Sequence, residues 1–166
     1  MPALIAGKIA PDFTLTTTDG QTVNLQELLQ LGPVVLAFFK ITCPVCQYAF
    51  PFYERMAQAH KESGAIFLGV SQNGLKEAKA FASDYGVTFP IAIDNDANHY
   101  KVSNEYGLTN VPTLFYIARD GEIEVSSVGW SKADVDEVNR KLADLRNEKA
   151  PLLWRKGEDV QDFRAG

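Results

Sequence analysis

Hydrophobic and polar positions alternate near the start of this chain and then gather into continuous apolar runs. Residues 12–23 alternate around Asp19-Gly20, a pattern typical of a β-hairpin. Residues 33–39 and 65–71 are apolar almost throughout. Runs of this length predict strands buried on both faces, and such strands require a sheet that has helices on both sides.

Helical periodicity occupies most of the chain between and after these strands. It predicts helices over residues 25–31, 44–63, 74–85, 96–106 and 131–146. A short strand is predicted at 90–93, and a second hairpin at 113–125 turns at Asp120-Gly121. Because strands alternate with helices along the chain, we expect an α/β domain whose central sheet is at least partly parallel.

The length of the chain fits one domain of ordinary size. Its 166 residues contain no internal repeat, linker or low-complexity segment. We expect a single domain over residues 1–166, with a core at about 7–146 and a C-terminal tail at 147–166. After Pro151 the tail carries little periodic pattern, and we expect it to be loosely attached.

Composition and charge exclude several classes of partner. Hydrophobic residues make up 46% of the chain, charged residues 22%, and the formal net charge is −5. Lys and Arg are scattered, so we expect neither nucleic acid nor a membrane as a partner. We also expect the protein to be a monomer. Residues 1–8 lack the basic start of a signal peptide, which predicts a cytoplasmic protein. Removal of an export signal would instead make it periplasmic or extracytoplasmic.

The candidate chemistry lies in the two cysteines of the chain, Cys43 and Cys46. They directly follow the apolar run 33–39 and open the predicted helix, which places them where the carboxyl end of a strand meets a helix N-terminus. Two cysteines are too few for a disulfide scaffold. A disulfide between them would close a very small loop and would stabilise the fold only weakly.

Their spacing suits thiol–disulfide exchange, which needs one thiolate to attack and a second thiol to resolve the mixed disulfide. Cys43 at the helix N-terminus is predicted to attack, since free N–H groups and the helix dipole favour an anion there. Pro44 fits the first helical turn because its missing N–H costs nothing there. Cys46, one turn further on, is predicted to be more buried and to resolve.

Other interpretations of these residues are weaker. Zinc would need two more ligands, and neither His60 nor His99 has suitable spacing to the cysteines, so we expect no metal and no cofactor. His60 is expected to contact the last carbonyls of its helix. Asp94 and Asp96 fit a turn and a helix N-cap better than a cation site. A pair of inert, buried cysteines remains the alternative to a redox pair.

These segments together resemble the TlpA/ResA-type branch of the thioredoxin superfamily, close to the redoxin and AhpC/TSA group, over about residues 7–146. The motifs that carry the resemblance are Ala10-Pro11-Asp12-Phe13-Thr14-Leu15, Cys43-Pro44-Val45-Cys46 with Phe50-Pro51, Tyr85-Gly86-Val87, Asp94-Asn95-Asp96, Tyr106-Gly107-Leu108, Val111-Pro112-Thr113-Leu114-Phe115 and Asp120-Gly121.

The resemblance implies a thioredoxin fold: a central mixed sheet flanked by helices, with an N-terminal hairpin and an inserted strand–helix unit. It implies a protein disulfide reductase that exchanges disulfides with protein thiols or disulfides and is served by an upstream redox donor. It also implies that Pro112 follows a cis peptide bond and faces the cysteines, so that Val111 and Pro112 join Pro44 in contacting substrate.

The chain departs from the resembled family at three positions. Thr42 replaces the usual Trp before the first cysteine. Ala49 replaces the acidic residue of cytochrome-maturation members, and Ala37 replaces the buried Asp of thioredoxins. The usual carboxylate for proton transfer at the resolving thiol is therefore missing. Gln72 and Asn73, after the second buried strand, are expected near the site.

Two alternative functions depend on residues that this chain lacks. A peroxiredoxin-like thiol peroxidase would need a Thr three residues before the reactive Cys, and Lys40 stands there. A copper-binding module similar to the Sco type would need CxxxC spacing and a supporting His. A non-enzymatic interaction domain remains the alternative if the cysteines are unreactive.

Trp130 has two interpretations. It precedes Ser131, which together with Asp134 resembles a capping box for the last helix. In one interpretation Trp130 provides an apolar substrate-contact surface that replaces the aromatic residue lost at Thr42. In the other it packs into the core at the start of the helix.

Overall fold

The computed structural model describes residues 3–166, and Met1 and Pro2 lie outside the described part. In chain order its elements are β1 Thr14–Thr16, β2 Thr22–Asn24, α1 Leu25–Leu31, β3 Val34–Phe39, α2 Pro44–Ala59, β4 Ile66–Ser71, α3 Leu75–Tyr85, β5 Ile91–Ile93, a 3-10 turn Asp96–Asn98, α4 Lys101–Glu105, β6 Thr113–Ile117, β7 Ile123–Val128, β8 Trp130–Ser131, α5 Lys132–Asp144 and β9 Phe163–Arg164.

A five-stranded sheet forms the centre of the fold, in the order β5-β4-β3-β6-β7. Strands β3, β4 and β5 run parallel, whereas β6 is antiparallel to β3 and β7 is antiparallel to β6. The predicted mixed sheet is therefore confirmed. β3 is the middle strand, so the loop that follows it opens at the centre of the edge where the parallel strands end.

Burial on both faces explains why β3 has no polar residue. Val35, Ala37 and Phe39 belong to a hydrophobic cluster that includes α2 and α5. The alternate residues of the strand belong to a second cluster with α1 and the N-terminal segment. Successive side chains of a strand point to opposite faces, so helical layers on both sides demand an apolar residue at every position.

The first third of the chain follows the predicted pattern closely. β1 and β2 pair antiparallel as the predicted hairpin. Asn24 caps α1 by accepting a hydrogen bond from the Glu27 amide at 3.0 Å. Gly32 ends α1, and a Cβ there would collide with the backbone carbonyl of Gly64. These local signals position the end of α1 directly before β3.

One predicted helix, 96–106, is wrong in part. The structure has a 3-10 turn and then the short helix α4, separated by His99 and Tyr100 at φ 59° and 52°. Backbone in this left-handed region cannot continue a right-handed helix. The predicted helix 44–63 is also shorter, since α2 ends at Ala59.

The break in the predicted helix is organised by the buried carboxylate of Asp94. It accepts hydrogen bonds from the amides of Val102 and Ser103 at 3.1 and 2.7 Å. It also accepts from the Ser103 hydroxyl at 2.6 Å and the Asn98 side chain at 2.8 Å. The turn interpretation of this motif is confirmed, with Asn95 as the cap of the 3-10 turn.

The C-terminal tail is not loosely attached, and that expectation is wrong. Arg55 on α2 forms a bidentate ion pair with Glu158, at 2.7 and 3.0 Å. The Trp154 ring packs on Phe52 and Trp130. β9 then pairs antiparallel with β8. Aromatic packing and strand pairing hold the tail although its sequence carries little periodic pattern.

The Asp94 carboxylate provides a direct test of this part of the fold. We expect Asp94→Ala to lower the free energy of unfolding by about 3 kcal/mol, because two buried amides and a hydroxyl lose their acceptor. Asp94→Asn keeps one acceptor oxygen and should lose less. Urea denaturation followed by circular dichroism measures the difference.

Asp96, two residues away and exposed, provides the matched control. Asp96→Ala should change the free energy of unfolding by less than about 0.5 kcal/mol, as is usual for surface substitutions. Equal losses for Asp94→Ala and Asp96→Ala would contradict the role of the buried carboxylate.

Candidate active site

Cys43 occupies the N-cap position of α2, directly after the turn that follows β3. Its backbone is extended, at φ −81° and ψ 114°, and Pro44 is the first helical residue. Its Sγ accepts a hydrogen bond from the Cys46 amide at 3.2 Å. A sulfur in this position takes the place of the capping oxygen of Ser or Asp, and a negative charge on it is stabilised by the helix N-terminus.

Cys46 differs from Cys43 in exposure. Its side chain is fully buried, whereas that of Cys43 is partly exposed, and both are free thiols. Burial raises the pKa of the Cys46 thiol far above its ordinary value. A hydrogen bond of the thiol itself with the Cys43 side chain raises this pKa further. Ala49, one turn further along α2, is fully buried too. Cys46 therefore remains a neutral thiol at neutral pH.

The loop before β6 lies next to Cys43 and forms a further part of the site. The Val111–Pro112 peptide bond is cis, as predicted. The Cys43 thiol donates to the Val111 carbonyl at 3.3 Å, which brings the first cysteine and the cis-proline loop into contact. Backbone of the predicted substrate-contact pair therefore lies directly beside the outer sulfur.

Side-chain amides brace the turn that holds Cys43. The Asn73 side chain accepts from the Ile41 amide at 2.9 Å, and the Gln47 side chain donates to the Ile41 carbonyl at 2.9 Å. Gln72 donates to Ser103 at 2.9 Å, across the mouth of the site. Gln72 and Asn73 lie near the site, as expected. Gln47 was missed, although its place one residue after Cys46 on the first turns of α2 is a usable signal.

A cavity of about 560 Å³ opens next to the Cys43 sulfur. The residues that line the cavity include Lys40, Cys43, Gln72, Ser103, Val111 and Gly166. Most of its polar groups are amides and hydroxyls, which suit a peptide backbone better than a lipid or an aromatic ring. The cavity thus exposes the outer sulfur to solvent on the side of the cis-proline loop.

Trp130 is fully buried, which contradicts the interpretation of this residue as an exposed contact surface and supports the interpretation as a core residue. Its ring packs against Tyr48 and Phe52 with centroids 5.4 and 5.1 Å away. Its Nε1 donates to the Gln161 carbonyl at 2.6 Å. The tail covers the outer side of the indole, and no sequence pattern had placed the tail there.

The two histidines lie away from the cysteines. His60 caps the end of α2 through its backbone amide, and its buried ring bonds Asn139 at 2.6 Å instead of the helix carbonyls. His99 is exposed in the left-handed turn. Within residues 3–166 no three His, Cys, Asp or Glu side chains cluster as metal ligands would.

Comparison with known proteins places this geometry in a family. The model of the AhpC/TSA family matches residues 6–126. The chain belongs to the AhpC/TSA family. Thiol-disulfide oxidoreductase ResA from Halalkalibacterium halodurans is 34% identical over 134 residues, covering 80% of this chain and 74% of that protein. ResA from Bacillus anthracis is 32% identical over 124 residues, covering 74% of this chain and 69% of the relative.

Solved structures agree with the family assignment. A putative protein disulfide isomerase from Bacteroides thetaiotaomicron superposes with a TM-score of 0.76 at 28% identity, over 86% of this chain and 94% of the other. A putative thiol:disulfide interchange protein DsbE from Chlorobium tepidum superposes with a TM-score of 0.74 at 26% identity, over 86% and 99%.

These comparisons confirm three predictions. The resemblance to ResA-type proteins near the AhpC/TSA group is confirmed, and so is the thioredoxin fold. The prediction of a thiol–disulfide oxidoreductase is confirmed as well, since the ResA relatives bear that name and Cys43 and Cys46 lie close together. Thiols or disulfides are therefore its substrates.

Differential alkylation tests the contrast between the two sulfurs. In the folded, reduced protein we expect iodoacetamide to label Cys43 first, because Cys46 is buried and its raised pKa keeps it protonated. Peptide mass spectrometry at several times measures both labels. Denatured protein, in which both cysteines should react, is the control. Faster labelling of Cys46 in the folded state would reverse the assignment.

Proposed function

We propose that this chain exchanges disulfides with protein substrates, with Cys43 as the attacking thiol and Cys46 as the resolving thiol. The observation that carries the proposal is the asymmetry of the pair. Cys43 is partly exposed at the start of α2 beside the Val111 carbonyl, whereas Cys46 is fully buried behind it. Only Cys43 is accessible to a disulfide that approaches from solvent.

In the reducing direction the reaction has two steps. The Cys43 thiolate attacks one sulfur of the substrate disulfide, forms a mixed disulfide and releases the other substrate sulfur as a thiolate. Cys46 then loses its proton and attacks the Cys43 sulfur, which releases the second substrate thiolate. The Cys43–Cys46 pair becomes a disulfide, and its two electrons pass to the substrate. An upstream redox donor returns the pair to the dithiol form.

The second step is the difficult one in this chain. Burial disfavours the Cys46 thiolate, and the backbone hydrogen bonds that favour it, from Lys40 and from Cys46 itself, do not offset this effect. Ala37 and Ala49, both buried, occupy the two places where related enzymes hold a carboxylate. We therefore propose that the release of substrate from the mixed disulfide limits the turnover of this enzyme.

Val111, Pro112 and Pro44 are proposed to contact substrate through the backbone beside Cys43. An extended peptide adds to exposed backbone by main-chain hydrogen bonds, which tolerate many side chains. The thiol-peroxidase alternative lacks support at this site, because Lys40 stands where the peroxide-orienting Thr would be needed.

The wider setting of the activity is a proposal as well. We propose that residues 1–166 work as one domain, since the tail packs onto the core through Trp154 and Glu158. We also propose that this domain works as a monomer. No helix in the described range 3–166 has the length and hydropathy needed to cross a membrane. The cytoplasmic location stays a prediction, with the extracytoplasmic alternative beside it.

Serine variants test the proposed roles. We expect Cys43→Ser to abolish the reduction of insulin disulfides, because no accessible thiol remains. Cys46→Ser should accumulate a mixed disulfide with the substrate, visible on non-reducing gels and cleaved by dithiothreitol. Trapping by Cys43→Ser instead of Cys46→Ser would contradict the assignment.

The pH dependence of resolution tests the proposed slow step. Below the raised pKa of Cys46, its thiolate fraction grows about tenfold per pH unit, so the release of substrate should accelerate similarly between about pH 6 and 9. Rapid-quench analysis of the mixed disulfide measures this rate, and the attack step in Cys46→Ser is the reference. A flat profile for release would show that another group removes the proton efficiently.

A further inference from the structure

The tail runs along two stretches of backbone, residues 129–131 and Val111, and the second of these contacts the Cys43 sulfur. β9 pairs with β8, with Arg164 opposite Trp130. The following residues pass over Gly129, and Gly166 lies against the carbonyl of Val111. Gly166 also lines the cavity next to Cys43. The tail tip, defined as Phe163–Gly166, therefore borders the cavity next to the Cys43 sulfur through Gly166.

The approach of the tail tip is unusually close and depends on glycine at both sides. Gly129 has φ +77°, and a Cβ on it would lie 2.6 Å from the Arg164 carbonyl. A Cβ on Gly166 would collide with the Val111 carbonyl. Backbone therefore packs on backbone, as when an extended strand is added to an edge.

The tail is anchored firmly upstream of this tip. The Trp154 ring lies on Phe52, and Glu158 is paired with Arg55 through two hydrogen bonds that hold the pKa of this carboxyl well below its usual range. The Gln161 carbonyl accepts from the buried indole of Trp130. These contacts fix the tail up to about residue 161.

The tip itself has much weaker contacts. Its last residue is held by an exposed hydrogen bond at 3.1 Å from the Asn110 side chain to the Gly166 carbonyl. Arg164 stacks over the Tyr48 ring at 4.9 Å, and Phe163 is largely exposed. Exposed segments with few buried contacts open at low free-energy cost, so residues 163–166 can leave while the anchor stays.

The tip and a substrate polypeptide require the same space. A polypeptide whose sulfur is joined to Cys43 must pass the Val111 carbonyl, because that carbonyl lies 3.3 Å from the Cys43 sulfur. Gly166 contacts this same carbonyl. We propose that the tail tip occupies the strand-accepting surface formed by Val111, Gly129 and β8, and that an extended substrate polypeptide displaces it. This inference rests on the proposed function.

Occupation of this surface by the tip should affect polypeptide substrates more than small disulfides. A small disulfide reaches Cys43 through the cavity without touching Gly129 or β8, whereas a polypeptide needs them. The tip thus lowers the apparent affinity for polypeptides by the fraction of molecules in which it is displaced. A small disulfide should be affected less, because it does not need Gly129 or β8.

The substitution Gly166→Val tests this inference, since its side chain cannot fit against the Val111 carbonyl and should release the tip. We expect kcat/KM for insulin reduction to rise about threefold or more, and kcat/KM for hydroxyethyl disulfide to rise less, because Gly166 also lines the cavity. Leu152→Ala, at a tail position that is 93% exposed, is the control and should change neither rate. Thermal unfolding of both variants checks that the fold is intact.

Each other outcome decides against the inference. A fall in insulin reduction by Gly166→Val would show that the tip helps to bind substrate. An unchanged rate of insulin reduction, or an equal change for both disulfides, would show that the tip does not compete with polypeptides. Failure of the wild-type chain to reduce either disulfide would instead refute the proposed function.

Hydrogen exchange gives a readout independent of rates. In the mixed disulfide of Cys46→Ser with a cysteine-containing peptide, amides of residues 163–166 should exchange faster than in the free protein. Those of residues 153–161 should be unchanged, and unchanged exchange at the tip would overturn the inference.

Discussion

The position of one sulfur at the end of a fully buried strand governs the rest of this structure. β3 is covered on both faces, so its direction and its end are fixed by the two hydrophobic clusters. The chain can leave this strand only at the sheet edge, where Cys43 becomes the N-cap of α2. An immobile strand and a helix N-terminus together hold the sulfur where a negative charge is stabilised.

The same burial that fixes Cys43 restricts Cys46. One helical turn further into the protein, the second thiol lies among apolar side chains, and burial raises its pKa. Position in the fold thus gives two identical side chains different exposure, which is the basis of the roles that we propose for them. Ala37 and Ala49, in the same cluster as Cys46, offer no group that could remove its proton.

The tail changes how the outer face of the site is built. Residues after Pro151 cover Trp130 and extend beyond the part of the chain that the AhpC/TSA family model matches, which ends at residue 126. The Trp130 indole is therefore sealed into the core. Backbone of the tail borders the cis-proline loop at Val111.

The sequence by itself determined the sheet, most helices and the cysteine pair, because those features follow from local rules. Continuous apolar runs require two-sided burial, and CxxC after such a run requires a helix start. Only the tertiary structure decided the break at His99, the burial of Trp130 and the docking of the tail. Each depends on contacts between residues far apart in the chain or on one buried carboxylate, Asp94, and periodicity carries no information about such contacts.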